Sequence, residues 1–273
     1  MAKKAKGGAK KRFPKQAPAL TRRTWAKWIE FVKDNAKPDI FFVIWLTGAL
    51  GLRCGEAVAL RREDFGLDAE EPYVCAAGHT RGARKSPGYI YVSRSNWRFL
   101  TRTLAKGLAT TRPLGTKHGT RTREEEYMPP AKGYLFEART GATKPHLNYI
   151  TVYYKLKELA PKLLQKLRAD NAKHDPRISQ LTPHSGRASF ITHLMAQGYN
   201  LRMSMKQARH APGSVKVHLR YGQLAFTDVK AVVDKADTAK AGLNDEATRD
   251  MTAKGLRRSV RLAKAELSRR GLS

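Results

Sequence analysis

Apolar positions first take up a helical period at Trp25, Trp28, Ile29 and Val32, which predicts an amphipathic helix over 22–34. From Ile40 to Leu52 the chain runs 13 residues without a charge. A bilayer span needs about 20, so this run predicts a buried core helix over 40–50, with Asp39 placed to cap it. Helix is expected again over 54–62. The pattern changes after Pro72: Tyr73–Ala76 and Tyr89–Val92 are short, aromatic and β-branched. Between them GHTRGARKSPG is turn-rich and basic, so the stretch predicts a β-hairpin with a long tip. Residues 96–107 read as helix, Thr110 to Pro130 as a polar loop holding the acidic triplet Glu124–Glu126, and 147–170 as a helix bent near Pro161. Further helices are expected over 185–197, 201–209 and 214–221, with a strongly basic one from about 244 to 270. No internal repeat is present. The fold class is mainly α with a small β-hairpin or sheet, an α+β arrangement.

Charge then narrows the partners. The 273 residues carry 53 Lys and Arg against 23 Asp and Glu, a net charge of +30. With 41% hydrophobic residues the chain can bury a core, so the charge belongs to a folded protein whose default partner is a polyanion. The acids are unevenly placed. From Pro72 to Arg123 there are none among 52 residues, with eleven Lys or Arg. From Pro176 to Thr227 there are again none, with seven Lys or Arg and four His. A surface that sits on phosphates is weakened by nearby carboxylates, so these windows favour nucleic acid over a well-mixed solvated face. Residues 1–18 hold seven Lys or Arg and no acid, a basic arm. Only Cys54 and Cys75 occur, too few for a disulfide framework or a Cys-built zinc site. Without a signal-peptide order at the N-terminus, the expectation is an intracellular, DNA-associated protein (nucleoid or nucleus) that is not secreted and has no membrane partner.

Two segments carry candidate chemistry. In TGALGLRCGEAVALRREDF, Arg53 sits at a Gly-rich junction before a helix, and Glu56 follows one turn later, where a carboxylate can orient the guanidinium. Alone, this segment reads as a surface Arg–Glu pair on an ordinary helix, because Arg-x-x-Glu is a common pattern. In LTPHSGRASFITHL, His184 and Arg187 stand three residues apart at a helix start, on one face and near backbone N–H groups that favour an anion. His210 and Tyr221 come later. Two Arg, two His and one Tyr are the parts needed to hold a phosphodiester and attack it.

These residues resemble the tyrosine recombinases of the phage-integrase type. The family's first box, GLRxxEAxxLxxxD, is matched by Gly51, Leu52, Arg53, Glu56, Ala57, Leu60 and Asp64. Its second, TPHxxRxxFxTHL, is matched by Thr182, Pro183, His184, Arg187, Phe190, Thr192, His193 and Leu194. His210 and Tyr221 follow in order, although eleven residues separate them, more than is usual in the family. Leu135–Phe136 falls where the family has a similar pair. The resemblance spans roughly Thr21 to Phe226. It implies a flexible basic arm over 1–20, a catalytic domain over 21–226, and a basic C-terminal helical extension over 227–273 that meets DNA or a neighbouring protomer.

The resemblance implies a site-specific DNA recombinase of integrase type that cuts and rejoins DNA through a 3′-phosphotyrosyl link. The alternatives are a telomere resolvase, a type IB topoisomerase-like nicking-closing enzyme, or a catalytically silent DNA-binding relative. Tyr221 would be the nucleophile, Arg53 and Arg187 the phosphate clamp, His184 the proton-transfer group and His210 a further phosphate donor. Lys85, carried on the hairpin tip, would protonate the leaving 5′-oxygen, ahead of Lys106 and Lys117; Glu56 would support the site from behind. His193 is expected to be structural, and His218, close to Tyr221, is the alternative candidate for the role of His210. Arg81, Arg84, Arg94, Arg98, Arg209 and Lys216 are expected to contact DNA. The partner is double-stranded DNA, with a homotetramer acting on two duplexes. No cofactor or metal is implied, and the sequence has no DxD or His cluster at metal-ligand spacing. Only 52 residues precede Arg53, so the family's N-terminal core-binding domain is expected to be missing from this chain.

Overall fold

A computed structural model describes residues 17–76, 88–116, 119–138, 141–172, 174–197 and 199–210. The first helix, α1 (Arg22–Asn35), starts where Thr21 Oγ1 accepts the N–H of Thr24 at 3.2 Å. It buries Trp28, Phe31 and Val32. The chain is anchored before Thr21: Ala19 and Leu20 are buried, inside the stretch expected to be an arm. Helix α2 (Pro38–Ala49) has Pro38 in its first turn, and Lys37, not Asp39, is its N-cap. Asp39 instead lies in that turn, where its carboxylate accepts the N–H of Ile40. α2 is buried on nearly every side, from Ile40 through Gly48, as an all-round apolar helix must be in a soluble fold. Phe42 is the hub of its aromatic packing, with the rings of Trp45, Phe99, Tyr127 and Phe136 at 5.6–6.5 Å between centroids.

The expected helix over 54–62 is shorter than the sequence suggested. Helix α3 (Cys54–Val58) stops, and a 3-10 turn covers Arg62–Asp64. The three-stranded antiparallel sheet has the order β1 (Phe65–Gly66), β2 (Tyr73–Ala76), β3 (Gly88–Tyr91). Val74 faces Ile90 in register and both are fully buried, while Tyr89 and Tyr91 are exposed, the alternation of a half-buried sheet. Helix α4 (Arg94–Lys106) is capped by Ser93 and buries Leu100, Thr103 and Leu104.

The polar loop expected from Thr110 to Pro130 is largely a β-ribbon. Strands β4 (Leu108–Thr116) and β5 (Gly119–Tyr127) pair along their whole length, from Leu108↔Tyr127 to Thr116↔Gly119. The sequence concealed it because the stretch has almost no apolar alternation; its only residues of strong strand preference beyond Tyr127 are threonines. Its base is held to α1 by Thr110, whose hydroxyl donates to the Ala36 carbonyl at 3.3 Å. After it, the Leu135 N–H donates to the Leu60 carbonyl at 2.9 Å, returning the buried Leu135–Phe136 pair to the end of the first box.

Helix α5 (Tyr149–Ala169), capped by Asn148, buries Val152, Leu156, Leu159, Leu163 and Leu167 on one stripe. Pro161 lies within it on the exposed side. A 3-10 turn (Pro176–Gln180) leads to α6 (Ser185–Ala196) and α7 (Leu201–Gln207). α6 lies close against α2: a Cβ added at Gly186 would stand 2.1 Å from Thr47 Oγ1 and 3.1 Å from the Gly48 nitrogen. The observed fold is thus helical with small antiparallel sheets, as expected. The helices expected over 214–221 and 244–270 lie outside the described residues. Among those described, no helix is long and apolar enough to cross a membrane.

Candidate active site

Arg53 is the residue before α3, and its extended backbone places it as the helix N-cap. Glu56 turns back one turn later. Its carboxylate accepts the backbone N–H of Arg53 at 2.7 Å and the Arg53 guanidinium Nη1 at 2.8 Å. The first box is therefore a helix start whose third residue fixes both the backbone and the side chain of the capping residue. Arg53 keeps 32% of its side chain exposed while Glu56 keeps 7%, so the arginine is presented and the carboxylate is hidden behind it.

His184 caps α6 and Arg187 is in its first turn. The His184 ring is at the surface, yet its pKa is held below the usual histidine value. The cause is first the loss of solvent on its inner side, then the positive charges of Arg187 and Arg53, with Glu56 opposing them. The two boxes meet at the starts of α3 and α6, where Arg187, Arg53 and Glu56 all act electrostatically on His184.

Arg187 does not reach the surface as a clamp would. It is 3% exposed, and its Nη1 donates to the Gly51 carbonyl at 2.5 Å while Nη2 donates to the Ala208 carbonyl. Gly51 has φ +67 with the Phe190 ring over it, so the turn before Arg53 needs glycine and is held from beneath by Arg187. Ala208 caps α7. One buried guanidinium thus ties the turn that delivers Arg53 to the turn that delivers His210.

That second turn is a Schellman motif. The Arg209 N–H donates to the Lys206 carbonyl and the His210 N–H to the Met205 carbonyl, each at 2.9 Å, with Arg209 left-handed at φ +52. Arg209 was expected on the DNA surface. Its side chain is only 12% exposed and Nη2 donates to Glu56 Oε2 at 2.5 Å, while Nη1 lies 3.5 Å from the Ala76 carbonyl at the end of β2. Burial alone would raise the Glu56 carboxyl; the charge and hydrogen bond of Arg209, with the bonds from Arg53, outweigh it and hold the group below the ordinary glutamate value. No feature of the sequence announced this pairing, because it depends on a left-handed residue where glycine is usual.

The remaining expectations divide clearly. His193 is structural: its Nε2 lies 3.0 Å from the Leu20 carbonyl, and Ser189 Oγ accepts the Leu20 N–H at 2.9 Å, so α6 pins the chain before α1. Arg94 and Arg98 are exposed on α4 at a spacing of one turn, with Arg102 on the next. Cys54, beside Arg53, is buried and its thiol is pushed up to about 12, which leaves it an inert core side chain. Tyr221, Lys85, Lys117, Arg81, Arg84, Lys216 and His218 lie outside the described residues. Among the described residues no group of three or more His, Cys, Asp or Glu is placed to hold a metal ion.

At the level of sequence no protein-family model matches the chain, and no curated protein does. Solved structures do. A XerH site-specific recombinase bound to a palindromic difH substrate, in a post-cleavage complex, superposes with a TM-score of 0.51 at 14% identity, over 79% of this chain and 52% of that one. The Tn1549 transposon integrase in complex with a circular intermediate DNA gives 0.53 at 16% identity, over 76% and 62%. The chain thus spans about half to three fifths of the length of these proteins. Taken with the two boxes and their meeting at the α3–α6 junction, this likeness shows that the chain has the fold of the tyrosine recombinase catalytic domain.

Proposed function

We propose that the protein cuts and rejoins double-stranded DNA through a covalent tyrosyl intermediate, as a site-specific recombinase of integrase type. The observation that carries this reading is the convergence of Arg53, Glu56, His184 and Arg187, from two segments more than a hundred residues apart, next to the turn that presents His210. Two cationic groups, Arg53 and Arg187, beside a histidine whose pKa is lowered form a site for an anion, and the DNA-bound likenesses suggest which anion.

Tyr221 attacks the phosphorus of a phosphodiester. The Tyr Oη–P bond forms, the P–O5′ bond breaks, and the 5′-oxygen leaves with a proton from Lys85. A phenol has a pKa of about 10 and needs its proton removed as it attacks; His184, kept neutral by its surroundings, accepts it. Arg53 presents its guanidinium to the non-bridging oxygens, where charge gathers in the pentavalent state. Loss of such a donor typically raises the barrier by about 3–4 kcal/mol. Arg187 acts from below, adding charge and holding the Gly51 and Ala208 turns, and His210 completes the ligand set. Rejoining is the reverse attack by a 5′-hydroxyl and needs no cofactor. Cutting and exchanging strands in two duplexes calls for a homotetramer. Arg94 and Arg98 rest on the phosphate backbone outside the site, joined by Arg81, Arg84 and Lys216. The setting is intracellular and DNA-associated.

The test is direct. The protein is mixed with a library of nicked duplexes and quenched with detergent, and covalently attached DNA is recovered and sequenced. The expected result is a 3′-phosphate linked to Tyr221, and no adduct with Tyr221→Phe. DNA binding without any adduct would overturn the enzymatic reading and leave a DNA-binding protein.

A further inference from the structure

We propose that Arg209 is a positioning residue: its guanidinium clasps the Glu56 carboxylate and the base of the β2–β3 hairpin, setting Arg53 and the hairpin in one fixed arrangement. The inference rests on the reading of the site given above.

Three observations converge on it. The first is conformational. Arg209 occupies the left-handed position of the Schellman turn at φ +52, where a Cβ is disfavoured and glycine is the usual occupant. A side chain kept there against that preference points to work done by the side chain. The second is its surroundings. Gly88, the first residue of β3, leaves the space that the arginine stem fills: a Cβ added at Gly88 would lie 2.5 Å from Arg209 Cδ. Gly88 pairs in register with Ala76, whose carbonyl faces Arg209 Nη1 at 3.5 Å. The guanidinium therefore sits at the Ala76–Gly88 rung of the hairpin. The third is its main partner. Glu56 receives Arg209 on Oε2 and the Arg53 guanidinium on Oε1, so one carboxylate is fixed from both ends of the sequence. The Arg209 Nε is buried and lacks a hydrogen-bond partner among the described residues, which shows that the geometry serves the terminal nitrogens.

The informative variant is Arg209→Gly, because glycine keeps the left-handed turn and with it the placement of His210 while removing the clasp. Arg209→Lys keeps the charge without the forked geometry. Three quantities are read on the full chain: thermal melting, the titration midpoint of the Glu56 side chain by carbon NMR, and the rate of adduct formation on a nicked duplex. In Arg209→Gly the fold should melt cooperatively, and the Glu56 midpoint should rise, since Arg53 and the more distant His184 are then the charges left facing it. Adduct formation should slow by about ten- to a hundredfold, the cost of a misplaced group, and Arg209→Lys should recover part of it. In the Glu56→Gln background, removing Arg209 should add little further loss. An unmoved Glu56 midpoint, or losses that multiply in the double variant, would overturn the proposal. If the wild type forms no adduct, the enzymatic reading fails by itself, and the NMR midpoint still decides whether Arg209 holds Glu56.

Discussion

Arg187 and Gly51, 136 residues apart, are joined by a hydrogen bond of 2.5 Å from the guanidinium to the glycine carbonyl. The same side chain holds Ala208. A buried carbonyl that loses its donor costs about 1–3 kcal/mol, so Arg187→Ala should destabilise the protein by several kcal/mol in urea unfolding as well as removing activity. Arg187→Lys should be nearly as damaging, because an ammonium on a flexible stem does not span both carbonyls. By contrast Arg53→Ala, at a third-exposed residue, should leave stability within about 1 kcal/mol while abolishing adduct formation. Equal unfolding midpoints for the Arg53 and Arg187 variants would show that Arg187 is not the brace described.

What the sequence made legible here was chemistry with a fixed local spacing. Arg53 with Glu56 and His184 with Arg187 lie one helical turn apart, and the helix that begins at each pair determines their relation. The long-range consequences were hidden. That Arg187 would turn inward to two carbonyls depends on the α2–α6 approach at Gly186, and that Arg209 would meet Glu56 depends on a left-handed turn at the end of α7. The β4–β5 ribbon is not legible in the sequence because hydrophobic periodicity is a signal of burial, and a ribbon rich in Thr, Arg and Glu has little of it. The core was clearer: a run such as Ile40–Leu46 has nowhere else to go.

His184 offers a test by pH. Its pKa is lowered by desolvation and by the charges of Arg187 and Arg53. Followed by proton NMR, its ring should titrate with a midpoint below 6.5, the ordinary value. A histidine whose folded pKa is depressed contributes its full stability above about pH 6.5, and loses it as pH falls through the folded value, because the unfolded chain takes up the proton first. Adduct formation should follow the folded midpoint on its acid side. In Arg53→Ala, read by NMR, the ring midpoint should move upward, because one of the charges that hold the ring neutral is gone. A midpoint above 6.5 would contradict the electrostatics described.

The α2–α6 crossing can be tested through a single methyl group. Gly186→Ala would place a Cβ 2.1 Å from Thr47 Oγ1 and 3.1 Å from the backbone nitrogen of Gly48. Overpacking of this kind costs about 1–3 kcal/mol. Since Gly186 lies between His184 and Arg187, activity should fall with stability. Thr47→Ala removes the nearest obstacle, whose hydroxyl donates to the Ile44 carbonyl at 2.7 Å, but leaves the residue's own Cβ at 2.9 Å and the Gly48 backbone. The double variant should therefore regain part of the loss and not all of it; losses that simply add would mean that the two positions do not touch.

The exposed arginines of α4 supply the last prediction, and it separates surface from site. Arg94 and Arg98 stand one turn apart on the exposed side of that helix, as residues resting on consecutive phosphates would. Each phosphate contact contributes about 0.9 to the slope of log affinity against log salt concentration for duplex DNA. Replacing both with Ala should lower that slope by nearly 2 and weaken binding by a similar factor on every sequence, since backbone contacts position the protein without reading bases. Stability should be almost unchanged, because neither side chain is buried. The rate of adduct formation at saturating DNA should also be retained, whereas Arg53→Ala, which removes one phosphate contact, should lower the slope by only about 0.9 and lose the chemistry. If the slope is unchanged in the double variant, this face of α4 does not meet DNA and the phosphate contacts must come from elsewhere on the chain.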